Sequence, residues 1–168
     1  TGKTGRVRTL ENIIDVTTAV SAMAQELTLS CVGEVSVASI GSQDDYIYVQ
    51  PVKTALISMA LGQALGYQTT KLANLGIAAL LKDIGYIVLP QEILHKKEDL
   101  TPEEMAKIQQ HPKQGYNLLR QNHHCSGEIA TAVLQHHEQW NGNGYPQHLK
   151  GADISECAQI VTLADQYT

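Results

Sequence analysis

The chain has 168 residues, 43% of them apolar, and a formal charge of -5. That length fits one domain with its own core. The acidic balance excludes broad binding to a nucleic-acid backbone, DNA included, which needs a basic face; a small phosphate ligand held by a metal or a few cations stays open. Ala and Leu are abundant, Phe is absent and alternating β-branched runs are scarce, a composition that suits packed helices. Cys31, Cys125 and Cys157 are widely spaced with no CxxC pair, which points to a reduced, cytoplasmic protein. No stretch is long and apolar enough for a membrane span.

The polar start TGKTGRVR reads as a linker end. Thr9 can cap a helix running to about Leu29, with Ile13, Val16, Val20, Met23 and Leu27 along one stripe. Residues 30–43 fit strand or helix equally. A second helix is expected from Asp44 to Leu65, stopped by Gly66, with Pro51 either kinking it or marking its first turn. Residues 1–43 are thus read as a linker and helix. They precede a domain at 44–168, whose abrupt end after DQYT suggests a fragment truncated at its C-terminus. The next helix, Thr70 to Asp83, carries no charge from Leu72 to Leu81 and should be buried on all sides. Lys82 and Asp83 close it. That charged pair either surfaces into solvent or finds a partner for each charge.

Gln91 to Leu94 reads as a helical turn, followed by a solvated HKKED tip. Thr101-Pro102-Glu103-Glu104 is a strong helix start: a cap, proline at the first position and acids in the first turn. That helix should end before Pro112, which opens the next one through Leu118 and Leu119 and leaves His111 at the break. His123 and His124 fall in a polar linker. Glu128 to Gln139 is expected to be a helix ending in His136, His137 and Glu138. Behind it, Trp140 and the turn NGNGYP follow, with Gly142, Gly144, Tyr145 and Pro146. Its glycines allow positive φ or a close backbone approach to a ligand. A last helix from Ser155 carries Ile160, Leu163 and Asp165.

The candidate metal ligands are Asp83, His111, His136, His137 and Asp165. They fall at helix ends or on inward faces of different helices, which is how sites in helical bundles are built. The mixed nitrogen and oxygen set suits iron, manganese or zinc better than calcium.

The segments LLKDIGYIVLP, LTPEEMAKIQQHPKQGYNLL, AVLQHHEQWNGNGYPQHLKGADIS and ADQY resemble the HD-GYP family, over about Asp44 to Tyr167. The resemblance implies an all-α bundle of about seven helices and cyclic di-GMP hydrolysis at a centre of two or three metals. Asp83 belongs to the catalytic centre in that reading, and the GYP loop contacts partner proteins, including diguanylate cyclase (GGDEF) domains. A homodimer stays open. Four positions depart from the pattern. Gln50 stands where the family has its first metal-binding histidine, and Tyr46 where trinuclear members have a carboxylate. Lys82 replaces the histidine of the name-giving His-Asp pair, and Tyr86 a lysine that binds substrate phosphate.

The family chemistry is an in-line displacement with two metals clamping the attacking and leaving oxygens. Losing the imidazoles at Gln50 and Lys82 leaves ligands for at most one transition metal ion, or for none. The expectation is therefore a catalytically impaired domain that acts as a nucleotide- or protein-binding regulatory module in cyclic di-GMP signalling. The alternatives are an active phosphodiesterase with a reduced metal site and a structural dimerisation or relay module. Lys82 itself is expected to place its ammonium where a second metal would otherwise sit, facing Asp83 and Asp165.

Overall fold

The computed structural model describes Ala22, residues 46–121 and residues 125–168, with backbone alone at 46–48. The helix expected from Thr9 to Leu29, apart from Ala22, lies outside the described residues, as do the ambiguous 30–43 segment, Cys31, His123 and His124. Ala22 is helical, and from residue 46 onward the described residues form seven α-helical segments and two 3-10 turns, with no strand. In chain order they are α1 (Tyr46–Ala64), α2 (Thr69–Leu81), a 3-10 turn (Ile84–Val88), α3 (Gln91–Leu94), α4 (Pro102–Ile108), α5 (His111–Arg120), α6 (Gly127–Gln135), a 3-10 turn (Gly151–Asp153) and α7 (Glu156–Asp165).

The central element is α2. Leu72, Ala73, Leu75, Gly76, Ile77, Ala78, Ala79 and Leu81 are all buried, as a charge-free helix must be. It lies against α1, α6 and α7. Met59 from α1, Ile129 and Val133 from α6, and Val161 from α7 fill the space between them. Each fully buried side chain of that size stabilises the fold by ~1.5–3 kcal/mol. A Cβ at Gly62 would stand 2.8 Å from Leu75 and 2.9 Å from Leu72, so glycine sets how closely α1 approaches α2.

The helix expected from Asp44 to Leu65 spans Tyr46–Ala64, with Pro51 inside it, five residues past its start, as the first of the two alternatives had it. One boundary differs from the sequence reading for tertiary reasons. The helix expected to run to Gln139 ends at Gln135, with His136 as its cap. There the Glu138 amide donates to the Gln135 carbonyl at 2.9 Å, a turn tighter than an α-helix, and Thr162 Oγ1 from α7 donates to the His136 carbonyl at 2.7 Å. The histidine pair thus sits on the bend after α6, aimed at the N-terminus of α5.

Candidate metal centre

Three helix ends bring the centre together. Asp83 follows the end of α2, His111 is the first residue of α5, and His136 and His137 follow α6. The turn after Asp83 packs directly on α5 because residue 85 is glycine: a Cβ there would stand 1.9 Å from the His111 carbonyl oxygen and 2.8 Å from the Gly115 amide nitrogen. Gly115 returns the favour, with a hypothetical Cβ 2.9 Å from Val133.

His111 Nε2 lies 3.3 Å from His136 Nε2 and 3.3 Å from Asp83 Oδ1; His136 Nε2 lies 3.6 Å from the same oxygen. The opposite nitrogens are both committed. His111 Nδ1–H donates to the Ile108 carbonyl at 2.9 Å, and His136 Nδ1–H donates to the Val133 carbonyl at 2.7 Å. Backbone acceptors of this kind fix the tautomer, so each Nε2 presents a lone pair. Two lone pairs and a carboxylate oxygen facing one another call for a shared cation, a proton or a metal ion. His137 completes the group: one ligand atom from each of Asp83, His111, His136 and His137 lies within 4.8 Å of all the others. Ligands bonded at ~2.0–2.2 Å stand no more than ~4.4 Å apart, so small side-chain movements close this set around one ion.

Aromatic stacking holds two of the imidazoles. Tyr86 stacks on His111 with centroids 4.2 Å apart, and Tyr145 of the GYP turn stacks on His137 at 4.7 Å. Burial, joined by the His136 and His111 neighbours, pushes His137 down to about 3, which keeps the ring neutral and able to ligate. Burial alone would raise Asp83. When a proton rather than a metal ion occupies the shared site, hydrogen bonding to His111 and His136 and the Lys82 charge outweigh burial and hold the carboxylate far below its usual range. Burial, with the Asp83 charge, drives the Tyr86 phenol up from its ordinary value, so it is a neutral donor.

The other side of Asp83 is built differently. Lys82 is 3% exposed, and its Nζ is paired with Asp83 Oδ2 and lies 3.1 Å from Asp165 Oδ1. Burial alone would lower the lysine; the charge of Asp83, its hydrogen bond and the charge of Asp165 outweigh burial and raise it instead. Gln50 Nε2 donates to Asp165 Oδ1 at 2.8 Å, and the Thr54 hydroxyl lies 3.4 Å from that oxygen. Asp165, named with the metal ligands from sequence, therefore reaches the cleft but faces the ammonium and the Gln50 amide rather than the histidines. Gln50 points its nitrogen, not its oxygen, at the carboxylate. The Tyr46 side chain lies outside the described residues. The residues present fit one metal ion. They do not fit a second between Asp83 Oδ2 and Asp165 Oδ1, because Lys82 Nζ stands there.

The loop behind the histidines is organised by Glu138, whose place in the structure sequence reasoning did not foresee. Its buried carboxylate accepts the Gln147 amide at 2.6 Å and the Leu149 amide at 2.9 Å. Gly144 packs so tightly that a Cβ would stand 2.3 Å from the Gln139 nitrogen and 2.5 Å from the His137 carbonyl oxygen. Gly142 has φ +84, and the Tyr145–Pro146 bond is cis. The signal for Glu138 was an acid directly before a glycine-rich loop with free amides. Trp140, 66% exposed, stands on the outer side.

A sequence-family profile described as an HD domain matches residues 8–168, and the chain belongs to that family. A cyclic di-GMP phosphodiesterase of Pseudomonas aeruginosa is 31% identical over 132 residues, covering 79% of this chain and 32% of the relative. One of Borreliella burgdorferi is 34% identical over 124 residues, covering 74% of this chain and 32% of that protein. The chain thus spans about a third of the length of these relatives. Among solved structures, Bd1817, a HDG"Y"P protein from Bdellovibrio bacteriovorus, superposes with a TM-score of 0.75 at 25% identity, over 93% of this chain and 51% of that one. Within the HD domain family, the chain is of the HD-GYP type. Among the described residues no helix is long and apolar enough to cross a membrane.

Proposed function

We propose that this chain is a cyclic di-GMP-binding regulatory domain of cytoplasmic signalling, with a one-metal centre and strongly reduced phosphodiesterase activity. The observation that carries the reading is the division of Asp83. Its Oδ1 faces the His111 and His136 nitrogens, while its Oδ2 is taken by the Lys82 ammonium. A metal ion held by Asp83, His111, His136 and His137 would supply Lewis-acid polarisation of a phosphate oxygen and a more acidic water. Tyr86 offers that phosphate a phenol hydrogen bond, weaker than an ammonium contact. The leaving oxygen has no second stabiliser, and one such loss costs roughly a hundredfold to a thousandfold in rate. Exposed Trp140 and the glycine-rich loop favour a protein contact on the same side, with a diguanylate cyclase domain as the partner to test.

The intact four-ligand cluster favours a second reading, an active phosphodiesterase with a reduced metal site. Calorimetry with cyclic di-GMP on metal-loaded protein, paired with a turnover assay, separates the two. Binding with turnover ~100-fold or more below that of a relative carrying the full ligand set is expected. Equal turnover would establish the second reading. Neither binding nor turnover would leave a structural module and overturn both.

A further inference from the structure

We infer that the Lys82 ammonium is a resident cation of the centre, standing between Asp83 and Asp165 so that the domain holds one metal ion and stays folded with none. The inference deepens the one-metal reading above and is independent of whether nucleotide binds.

The first support is position. Two carboxylates from helices far apart in sequence, Asp83 after α2 and Asp165 at the end of α7, converge on a single side-chain nitrogen. Carboxylates that meet inside a protein need a cation between them, and a divalent ion is one solution. Here the cation is covalently tethered, and an ion placed between Asp83 Oδ2 and Asp165 Oδ1 would overlap Nζ.

The second support is saturation of the acceptor. Asp165 Oδ1 meets Lys82 Nζ at 3.1 Å and Gln50 Nε2 at 2.8 Å. Two donors use the two lone pairs of a carboxylate oxygen, and none remains for a metal. The Gln50 amide is forced into this sense, because its oxygen at 2.8 Å from a carboxylate oxygen would be repelled. The Thr54 and Thr168 hydroxyls, 3.3 Å apart, close the same pocket, with Thr168 3.4 Å from Gln50 Nε2. Gln50 and Lys82, 32 positions apart in the chain, therefore act as one device.

The third support is charge. One ammonium offsets one of the two carboxylates, leaving a single negative charge beside three imidazoles. That environment accepts one divalent ion and repels a second, whereas two bare carboxylates would attract two.

The test counts metal and measures the melting of metal-free protein; nucleotide is in neither arm. Parent protein reconstituted with excess Mn2+ and desalted should hold one ion per chain and give the resonance of isolated Mn2+. Gln50→His combined with Lys82→His should hold two ions with a spin-coupled signal. Metal-free Lys82→Met should melt ~6 °C or more below the parent, because it strands both carboxylates. Lys82→Met with Asp165→Asn should recover part of that loss. If Lys82→Met does not fold, Asp165→Asn alone serves: its metal-free melting temperature should fall while the metal count stays at one. Two ions in the parent would overturn the inference. So would an unchanged melting temperature in Lys82→Met, or a folded Gln50→His/Lys82→His variant that still binds one ion.

Discussion

At Gly85 the absence of one methyl group fixes the spacing of the centre. The nearest atoms to a Cβ there are backbone, the His111 carbonyl oxygen at 1.9 Å and the Gly115 nitrogen at 2.8 Å, so no rotamer change relieves the clash. Gly85→Ala should cost ~3 kcal/mol or more, seen as a lower urea midpoint at unchanged m-value, and should weaken metal binding by moving Asp83 off the histidines. A midpoint equal to the parent's would show that the 3-10 turn does not hold α5. Glu138→Gln keeps one accepting oxygen but turns an amide NH2 on the other backbone donor, and should cost ~1–3 kcal/mol by the same measurement. Cys157 offers a pH test. Burial, with the Glu128 charge, pushes its thiol up to about 12 from an ordinary 9.0. The unfolded chain releases this proton at lower pH than the folded one, so its contribution is fully present below pH 9.0 and is lost as pH rises toward 12. Alkylation at pH 8 followed by peptide mapping should leave Cys157 unmodified until denaturant is added; ready labelling of native protein would contradict its burial. The convergence of His111, His136 and His137 was legible in the sequence because imidazoles beside helix breaks are informative in themselves. The partnership of Gln50 with Asp165 was not, because 115 positions separate them and nothing local marks an amide as a donor to a distant carboxylate.

The helices differ in how much of their definition is local. At α4 almost all of it is. Thr101 Oγ1 accepts the Glu104 amide at 3.2 Å, Glu104 Oε2 accepts the Thr101 amide at 2.8 Å, and Pro102 follows the cap. Four consecutive residues specify that start, which is why it could be read directly. Thr101→Ala should lower stability by ~1 kcal/mol in thermal melts without touching metal binding, since α4 supplies no ligand. A change in metal affinity would mean that α4 positions His111 through Ile108, whose carbonyl accepts His111 Nδ1–H. The C-terminal end of α6 is the opposite case. Its stop depends on Thr162 of α7 donating to the His136 carbonyl, and a hydrophobic pattern running on toward Gln139 contains no trace of that contact. Pro51 was ambiguous for a similar reason: propensity opposes proline inside a helix, and tertiary packing of α1 on α2 and α7 overrides it.

On the scale of the whole domain, the apolar core and the centre are adjacent but separate. Met59, Leu72, Leu75, Ile129, Val133 and Val161 are at most 2% exposed and pack where α1, α2, α6 and α7 meet. The ligands lie at the ends of helices that this core already holds, and the charge-free run of α2 made that core legible before any ligand was considered. Metal-dependent small domains unfold on chelation because the metal replaces a missing core. This domain has its core, and its second cation is a lysine. Chelation with EDTA should therefore leave the far-UV circular dichroism spectrum and a single cooperative melt intact. The melting temperature should fall only by the mass-action amount, ~2.7 kcal/mol of stability for an ion present at a hundredfold excess over its Kd, and should return on adding Mn2+ or Zn2+. If chelation instead abolished the cooperative transition, the metal would be holding the helix ends together, and the division between a self-sufficient core and a metal centre added at its edge would be wrong.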